Sequence, residues 1–299
     1  MLAPLILRYI PRGTARLVEP FSGSGAISFA CASNSQCKYY WLNDINRPLS
    51  NLLALIVSEP REVASSYESL WRDSNSAHLE HYYSVRAEFN RTGDPRLLLY
   101  LLARCVKGSV RYNRNGEFNQ SPDKRRLGRH PVRMRPNLQQ VSLLLRGRVR
   151  FTSRDYSQVF SSVTKDDVVY MDPPYQGVSG NRDHRYSSTI EFDEFVAGLE
   201  GLNKKSVRYL VSYDGRSGGR QYGKPLPQHL DLQLVELEAG RSTQATFLGR
   251  KSMTVESLYL SRSLADELET VPSIDSHQSN LRTQSNAPFL PLGEASYHG

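Results

Sequence analysis

The chain has 299 residues, 39% hydrophobic and 23% charged, which is enough to bury a sizeable core and too apolar for wholesale disorder. Its longest apolar run, Leu97 to Val106, is broken by Arg104 and falls short of the ~20 residues of a membrane span. The opening Met1-Leu2-Ala3-Pro4 carries no basic segment ahead of an apolar one, so neither a membrane protein nor a secreted one is expected.

Charge is unevenly distributed. Arg104 to Arg150 holds thirteen Lys and Arg against two acids, whereas the remainder has 25 basic and 28 acidic residues. A concentrated excess of this kind favours a polyanion partner, because each neutralised phosphate releases condensed counterions. The three cysteines, Cys31, Cys37 and Cys105, match no zinc spacing, and no metal is expected.

In chain order, Leu2 to Ile10 is amphipathic and reads as a helix ended by Pro11 and Gly13. Arg16 to Phe21 reads as a strand running into Ser22-Gly23-Ser24-Gly25, followed by a helix from Ala26 to Ser33. Lys38 to Leu42 is a second strand and Pro48 to Ser58 a second helix. Strands and helices alternating over short links predict a parallel sheet. From about Arg61 to Val106 the text is helical, with Pro95 well placed in a first turn. Gly108 to Arg135 is polar, and Asn113, Asn115, Gly116, Asn119 and Pro122 mark turns.

Strand text returns at Arg148 to Thr152, Val168 to Met171 and Val207 to Ser212, with a helix from about Glu191 to Leu202. Leu232 to Glu238 and Thr254 to Leu260 have no helix between them, so an antiparallel pair is expected. The expected organisation is an α/β catalytic domain, residues 1–58 and 148–262, interrupted by a mainly helical insertion, residues 59–147. The tail at 263–299 is rich in Ser, Asn, Gln and Pro, and disorder is expected there.

Three constellations carry chemistry. In Glu19-Pro20-Phe21-Ser22-Gly23-Ser24-Gly25 the glycines admit close backbone approach and offer N–H groups at a helix start. The dinucleotide G-x-G-x-x-G pattern is not completed, because Ser28 takes the third place. Asp44 ends the second strand nineteen residues after Gly25, where an acid can bind both ribose hydroxyls of a nucleoside; capping the next helix is the plainer role. Third, the buried run Val168 to Met171 stops in Asp172-Pro173-Pro174-Tyr175. Two prolines remove two N–H donors and leave carbonyls free to accept from elsewhere, and an aromatic beyond them offers a face for a base.

Together these motifs resemble the D12-class methyltransferases acting on adenine N6 in DNA, within the group of bacterial and phage DNA adenine methyltransferases. Glu19 to Gly25 is similar to the family's F-x-G-x-G cofactor loop, through Glu19, Phe21, Gly23 and Gly25. Asp44 is similar to its ribose-binding acid, and Asp172-Pro173-Pro174-Tyr175 to its catalytic D-P-P-Y. Asp155 fits the position that binds the cofactor's adenine. Arg111-Tyr112-Asn113 and Gly116-Glu117-Phe118-Asn119 resemble the R-x-N…G-x-F-N stretch of its target-recognition region. Members usually open with a segment of the form K-W-x-G-G-K, and this chain begins inside the helix that follows it.

The resemblance implies a Rossmann-like, mostly parallel sheet with a reversed C-terminal hairpin and an inserted target-recognition domain. It implies S-adenosyl-L-methionine as cofactor, bound also by Asp172, and transfer of its methyl group to adenine N6 in double-stranded DNA. Asp172, Pro173, Pro174 and Tyr175 are then catalytic. Arg111, Asn113, Arg114, Asn119, Lys124, Arg125 and Arg126 are then DNA-binding. A bacterial or phage cytoplasmic setting, a monomer and a separately acting restriction endonuclease are the accompanying expectations. The alternatives are an RNA N-methyltransferase and a DNA-binding relic without cofactor affinity.

Overall fold

Side chains that alternate between two faces along two central strands determine where everything else packs. The computed structural model describes residues 2–74, 78–174, 190–217, 220–221, 224–241 and 253–270. In β1 (Thr14–Glu19) Leu17 faces one side and Val18 the other; in β4 (Asp167–Met171) Val168 and Tyr170 oppose Val169 and Met171. Both strands are buried on both faces, as the centre of a parallel sheet requires.

Flanking them are β2 (Cys37–Asn43), β3 (Val149–Thr152), β5 (Arg208–Ser217), the two-residue β6 (Arg220–Gln221), β7 (Gln233–Arg241) and β8 (Met253–Leu260). The order is β3-β2-β1-β4-β5-β8-β7, with β6 paired to β5. The first five in that order run parallel, and β8 is antiparallel to both β5 and β7. The expected parallel sheet and reversed terminal hairpin are therefore present.

Ten helices lie among the described residues. The first, α1 (Ala3–Ile6), continues as a 3-10 turn to Tyr9. On the Leu17 face lie α2 (Ala26–Ser33), α3 (Arg47–Ser58), α4 (Pro60–Asp73), α5 (His78–Thr92), α6 (Pro95–Arg104) and α7 (Pro131–Leu145). On the Val18 face lie α8 (Tyr156–Ser162) and α9 (Phe192–Lys204). The insertion shares its core with the sheet: Tyr67, Tyr82, Leu98 to Leu102 and Met134 join one cluster with Leu17, Tyr40 and Val168.

Three helical features depart from the sequence reading. The turn-rich text was expected to run to Arg135, yet α7 begins at Pro131 and carries Pro136 within it. An internal proline costs about 3 kcal/mol. Met134, Leu138, Val141 and Leu145 are all fully buried, and each contributes roughly 1.5–3 kcal/mol, so packing outweighs the proline. The short α8 was not expected either. Finally, the chain does not lose order at 263: α10 (Arg262–Thr270) follows β8 and buries Leu264 and Ala265. The remainder of the expected tail lies outside the described residues.

Candidate active site

A parallel sheet opens a crevice at the carboxyl ends of its strands where the chain leaves in opposite directions from neighbouring strands. Here that switch point lies between β1, which leads outward to β2, and its other neighbour β4. Glu19 ends β1, and Asp172 immediately follows β4.

Glu19 is 2% exposed and accepts a 2.8 Å hydrogen bond from the Ser28 N–H of α2. Burial pushes its carboxyl up to about 7; the Ser28 bonding opposes the shift, and the nearby Asp172 charge adds to it. The carboxyl of Asp172 is likewise pushed up to about 7, by burial first and then by the negative charge of Glu256 on β8. On β4 the Tyr170 hydroxyl shares a 3.0 Å hydrogen bond with Ser212 of β5. Pro173 is buried and Pro174 half-buried after Asp172, while Tyr175 lies outside the described residues. Glu256 had no motif to announce it; only the strand pairing brings it to this end of the sheet.

The loop after β1 is shaped by its glycines. Gly25 has φ +72°, and a Cβ there would meet Leu42 Cδ2 at 2.7 Å. The Phe21 ring lies 5.3 Å from that of Tyr156. Asp44 ties this loop to the next: its Oδ2 accepts from the Gly23 N–H and its Oδ1 from the Asn46 N–H, each at 2.8 Å. Burial raises its pKa, and those two bonds oppose the rise. Asp44 does not cap α3, because Asn46 is the residue whose side chain accepts from the Leu49 N–H.

Asn43, fully buried, staples three strand ends together. Its amide donates to the carbonyls of Pro20 and Arg154, and its oxygen accepts from the Thr152 hydroxyl and the Arg154 N–H. Asp155, exposed beyond β3, caps α8 through the Ser157 N–H. These carboxylates therefore gather along one end of the sheet, and no Lys or Arg among the described residues offsets the upward shifts of Glu19, Asp44 and Asp172.

The insertion presents two loops. In the first, Tyr112 and Phe118 bridge as an antiparallel pair around a turn at Gly116, φ +77°. Asn113 builds this turn: its Oδ1 accepts from the Asn115 and Glu117 N–H groups and its Nδ2 donates to Glu117. The Asn113 side chain is thus engaged within the hairpin; Arg111 and Arg114 lie at the solvent-exposed surface of the same hairpin. The Asn119 N–H donates to the Arg111 carbonyl, and its Oδ1 is buried with no hydrogen-bond partner.

In the second loop, Lys124, Arg125 and Arg126 are exposed while the backbone is held from beneath. Arg104 donates to the Arg126 carbonyl, Trp71 Nε1 to the Leu127 carbonyl, and the Tyr67 hydroxyl to the Arg129 carbonyl. Part of the basic excess is already engaged, Arg126 with Asp123 at 3.8 Å among it. Arg135 pairs with Glu68 at 2.7 Å, and Arg148 is bound to the Cys37 and Lys38 carbonyls. A cavity of about 370 Å³ beside the hairpin is lined by Tyr83, Arg86, Asn90 and Glu117, all of the insertion.

Residues 1–243 match the model of the D12 class N6 adenine-specific DNA methyltransferase family. The chain is 29% identical over 228 residues to a DNA N-6-adenine-methyltransferase of Escherichia phage P1, the match covering 72% of this chain and 28% of that protein. It is 31% identical over 218 residues to the DNA adenine methylase of Escherichia coli strain K12, covering 69% and 74%. An rRNA methylase from Streptococcus thermophilus superposes with a TM-score of 0.34 at 6% identity, over 87% of this chain and 94% of that one. With a family match spanning most of its length, this chain belongs to the D12 class of N6 adenine-specific DNA methyltransferases.

Proposed function

We propose that the protein transfers a methyl group from S-adenosylmethionine to adenine N6 in double-stranded DNA. The observation that carries this reading is the Asp172 carboxyl, set at the switch point after β4 beside the Glu19 end of β1. The donor set fits the cofactor: a cation suits the buried Glu19 and half-buried Asp172, which have no basic partner among the described residues, and S-adenosylmethionine carries a sulfonium and an ammonium. Asp44 would hold the ribose hydroxyls, Gly23 and Gly25 would let the backbone close on the ligand, and Phe21 and Asp155 would flank the adenine ring. When bound, the cofactor supplies an electrophilic methyl group.

The rest is the work of this chain. The adenine N6 amine is a poor nucleophile because its lone pair is delocalised into the ring. In this reading the Asp172 carboxylate and the Pro173 carbonyl accept its two N–H bonds, localising the lone pair and stabilising charge as it develops. The amine then releases a proton to water. The base must leave the duplex stack to reach Asp172, with Tyr175 as the proposed stacking face. Lys124, Arg125 and Arg126 grip phosphates, and Arg111, Arg114 and Asn119 face base edges, with Asn113 shaping their hairpin. Double-stranded DNA is the partner for which the exposed basic loops speak; a restriction endonuclease acting on the same sites would complete a modification system. Transfer of labelled methyl groups to duplex DNA, RNA and protein in parallel, followed by methylation-aware sequencing, tests the reading. Preference for RNA would favour the RNA-methyltransferase alternative.

A further inference from the structure

One hydrogen-bonded path joins the two halves of the site. From the glycine loop, the Gly23 N–H donates to Asp44 Oδ2, and Asp44 Oδ1 accepts the Asn46 N–H, both at 2.8 Å. Asn46 Oδ1 in turn accepts from the Leu49 N–H at 3.3 Å and from the Tyr112 hydroxyl at 3.2 Å. Tyr112 belongs to the recognition hairpin. It lies between Arg111 and Asn113, pairs across the turn with Phe118, and its ring meets that of Phe118 edge-on at 6.1 Å. The opposite side of the hairpin is anchored separately, since Asn90 on α5 bonds both the N–H and the carbonyl of Phe118. The Tyr112 hydroxyl therefore links one edge of the hairpin to the loop that Asp44 organises.

We propose that Tyr112 is a positioning residue that couples occupancy of the Asp44 cofactor site to the setting of the DNA-recognition hairpin, so that each ligand tightens the binding of the other. The inference rests on the functional reading above, which places a cofactor on Asp44 and DNA on the hairpin. A diol bonded to Asp44 fixes the two carboxylate oxygens that already hold the Gly23 and Asn46 backbones. Fixing Asn46 fixes the acceptor of the Tyr112 hydroxyl, and with it the backbone that carries Arg111. Coupling free energy is reciprocal, and here it has a continuous physical route.

The test is equilibrium binding of a fluorescent duplex bearing the mapped methylation site, with and without saturating S-adenosylhomocysteine. Wild type is expected to bind at least about fivefold more tightly with the nucleoside present, within the ordinary range of coupling. Tyr112→Phe keeps the ring and loses only the hydroxyl. It should bring the ratio below two while leaving the nucleoside Kd of the DNA-free protein within twofold of wild type. Asn46→Asp, which keeps the acceptor and the helix cap, should retain the wild-type ratio; Asn46→Ala should lose it, providing a second variant. A wild-type ratio of one, or an undiminished ratio in Tyr112→Phe, overturns the coupling. Failure of the functional reading shows elsewhere, as absence of methyl transfer by the wild type.

Discussion

The buried guanidinium of Arg104, at the end of α6, donates to the backbone carbonyl of Arg126 and so holds the basic loop by its main chain while leaving its side chains in solvent. Tyr67 and Trp71 of α4 do the same for Arg129 and Leu127. A loop fixed from below loses less entropy when it meets a polyanion, which is the physical meaning of preorganisation.

Phosphate gripping by that loop has a quantitative signature. Replacing Lys124, Arg125 and Arg126 together with Ala should weaken all duplex sequences alike. It should also flatten the slope of log K against log[salt] by up to ~2.7, at about 0.9 per phosphate contact. Replacing Arg114 or Asn119 should instead relax discrimination between sites with little change in slope. Isotherms at three salt concentrations on cognate and scrambled duplexes separate these outcomes, and an unaltered slope in the triple variant removes the loop from the interface.

Gly128 closes the same loop with φ +79°, and a Cβ there would lie 2.9 Å from the Ala103 carbonyl oxygen. Gly128→Ala should therefore destabilise the fold by about 1–3 kcal/mol, a left-handed conformation for a side chain compounded by a backbone clash. Calorimetric melting checks this, and an unchanged Tm refutes the strain.

Asp44 divides its oxygens between two backbone N–H groups and, in the proposed function, a ribose. Asp44→Ala should weaken S-adenosylmethionine binding by ~10- to 150-fold, from roughly 1.5–3 kcal/mol of charged hydrogen bonding. DNA affinity measured without cofactor should fall far less. Titration calorimetry of the folded variant showing the wild-type Kd would leave Asp44 as a loop staple alone.

The pH dependence follows from two raised carboxyls. Glu19 and Asp172 stay protonated to about 7 in the folded chain, against ordinary values near 4, so the folded state binds more protons than the unfolded one between these limits. Stability should therefore fall as pH rises from about 4 to 7. Asp172→Asn, which cannot ionise, should melt at a higher temperature than wild type at pH 8, with the difference vanishing below about pH 4. Activity runs the other way: kcat/KM should drop about tenfold per unit on the acid side of about 7, because the protonated carboxyl has lost its charge as an acceptor. A flat profile from pH 5 to 8 contradicts the assignment.

Much of the sheet was legible because its signals are local. Short apolar runs bounded by turns, a glycine turn and a proline pair each act within a few residues, and the Ala26–Ser33 helix has the bounds its text implies. What escaped depended on distant partners. The α7 helix survives Pro136 only because α3 and α4 pack against it, and α10 follows β8 in a segment whose composition suggests a tail. In the site, Asp172, Asp44 and Glu19 were visible as strand ends, whereas Glu256 and the Tyr112–Asn46 bond appear only once remote segments meet. Asn113, expected among the DNA-binding residues, has its side-chain amide engaged in its own turn, which depends on the hairpin closing around Gly116.

The central claim is that Asp172 activates an adenine amine, and single-turnover methyl transfer tests it most directly. Wild type and Asp172→Ala would be mixed with duplex DNA and labelled S-adenosylmethionine, and the product sequenced for N6-methyladenine. Wild type should place label on adenine N6 at a defined site. Asp172→Ala should still bind the duplex yet transfer at less than about a hundredth of the wild-type rate, a barrier increase of about 2.7 kcal/mol. Transfer by the variant at more than a tenth of the wild-type rate, or label on any atom other than adenine N6, would contradict the account.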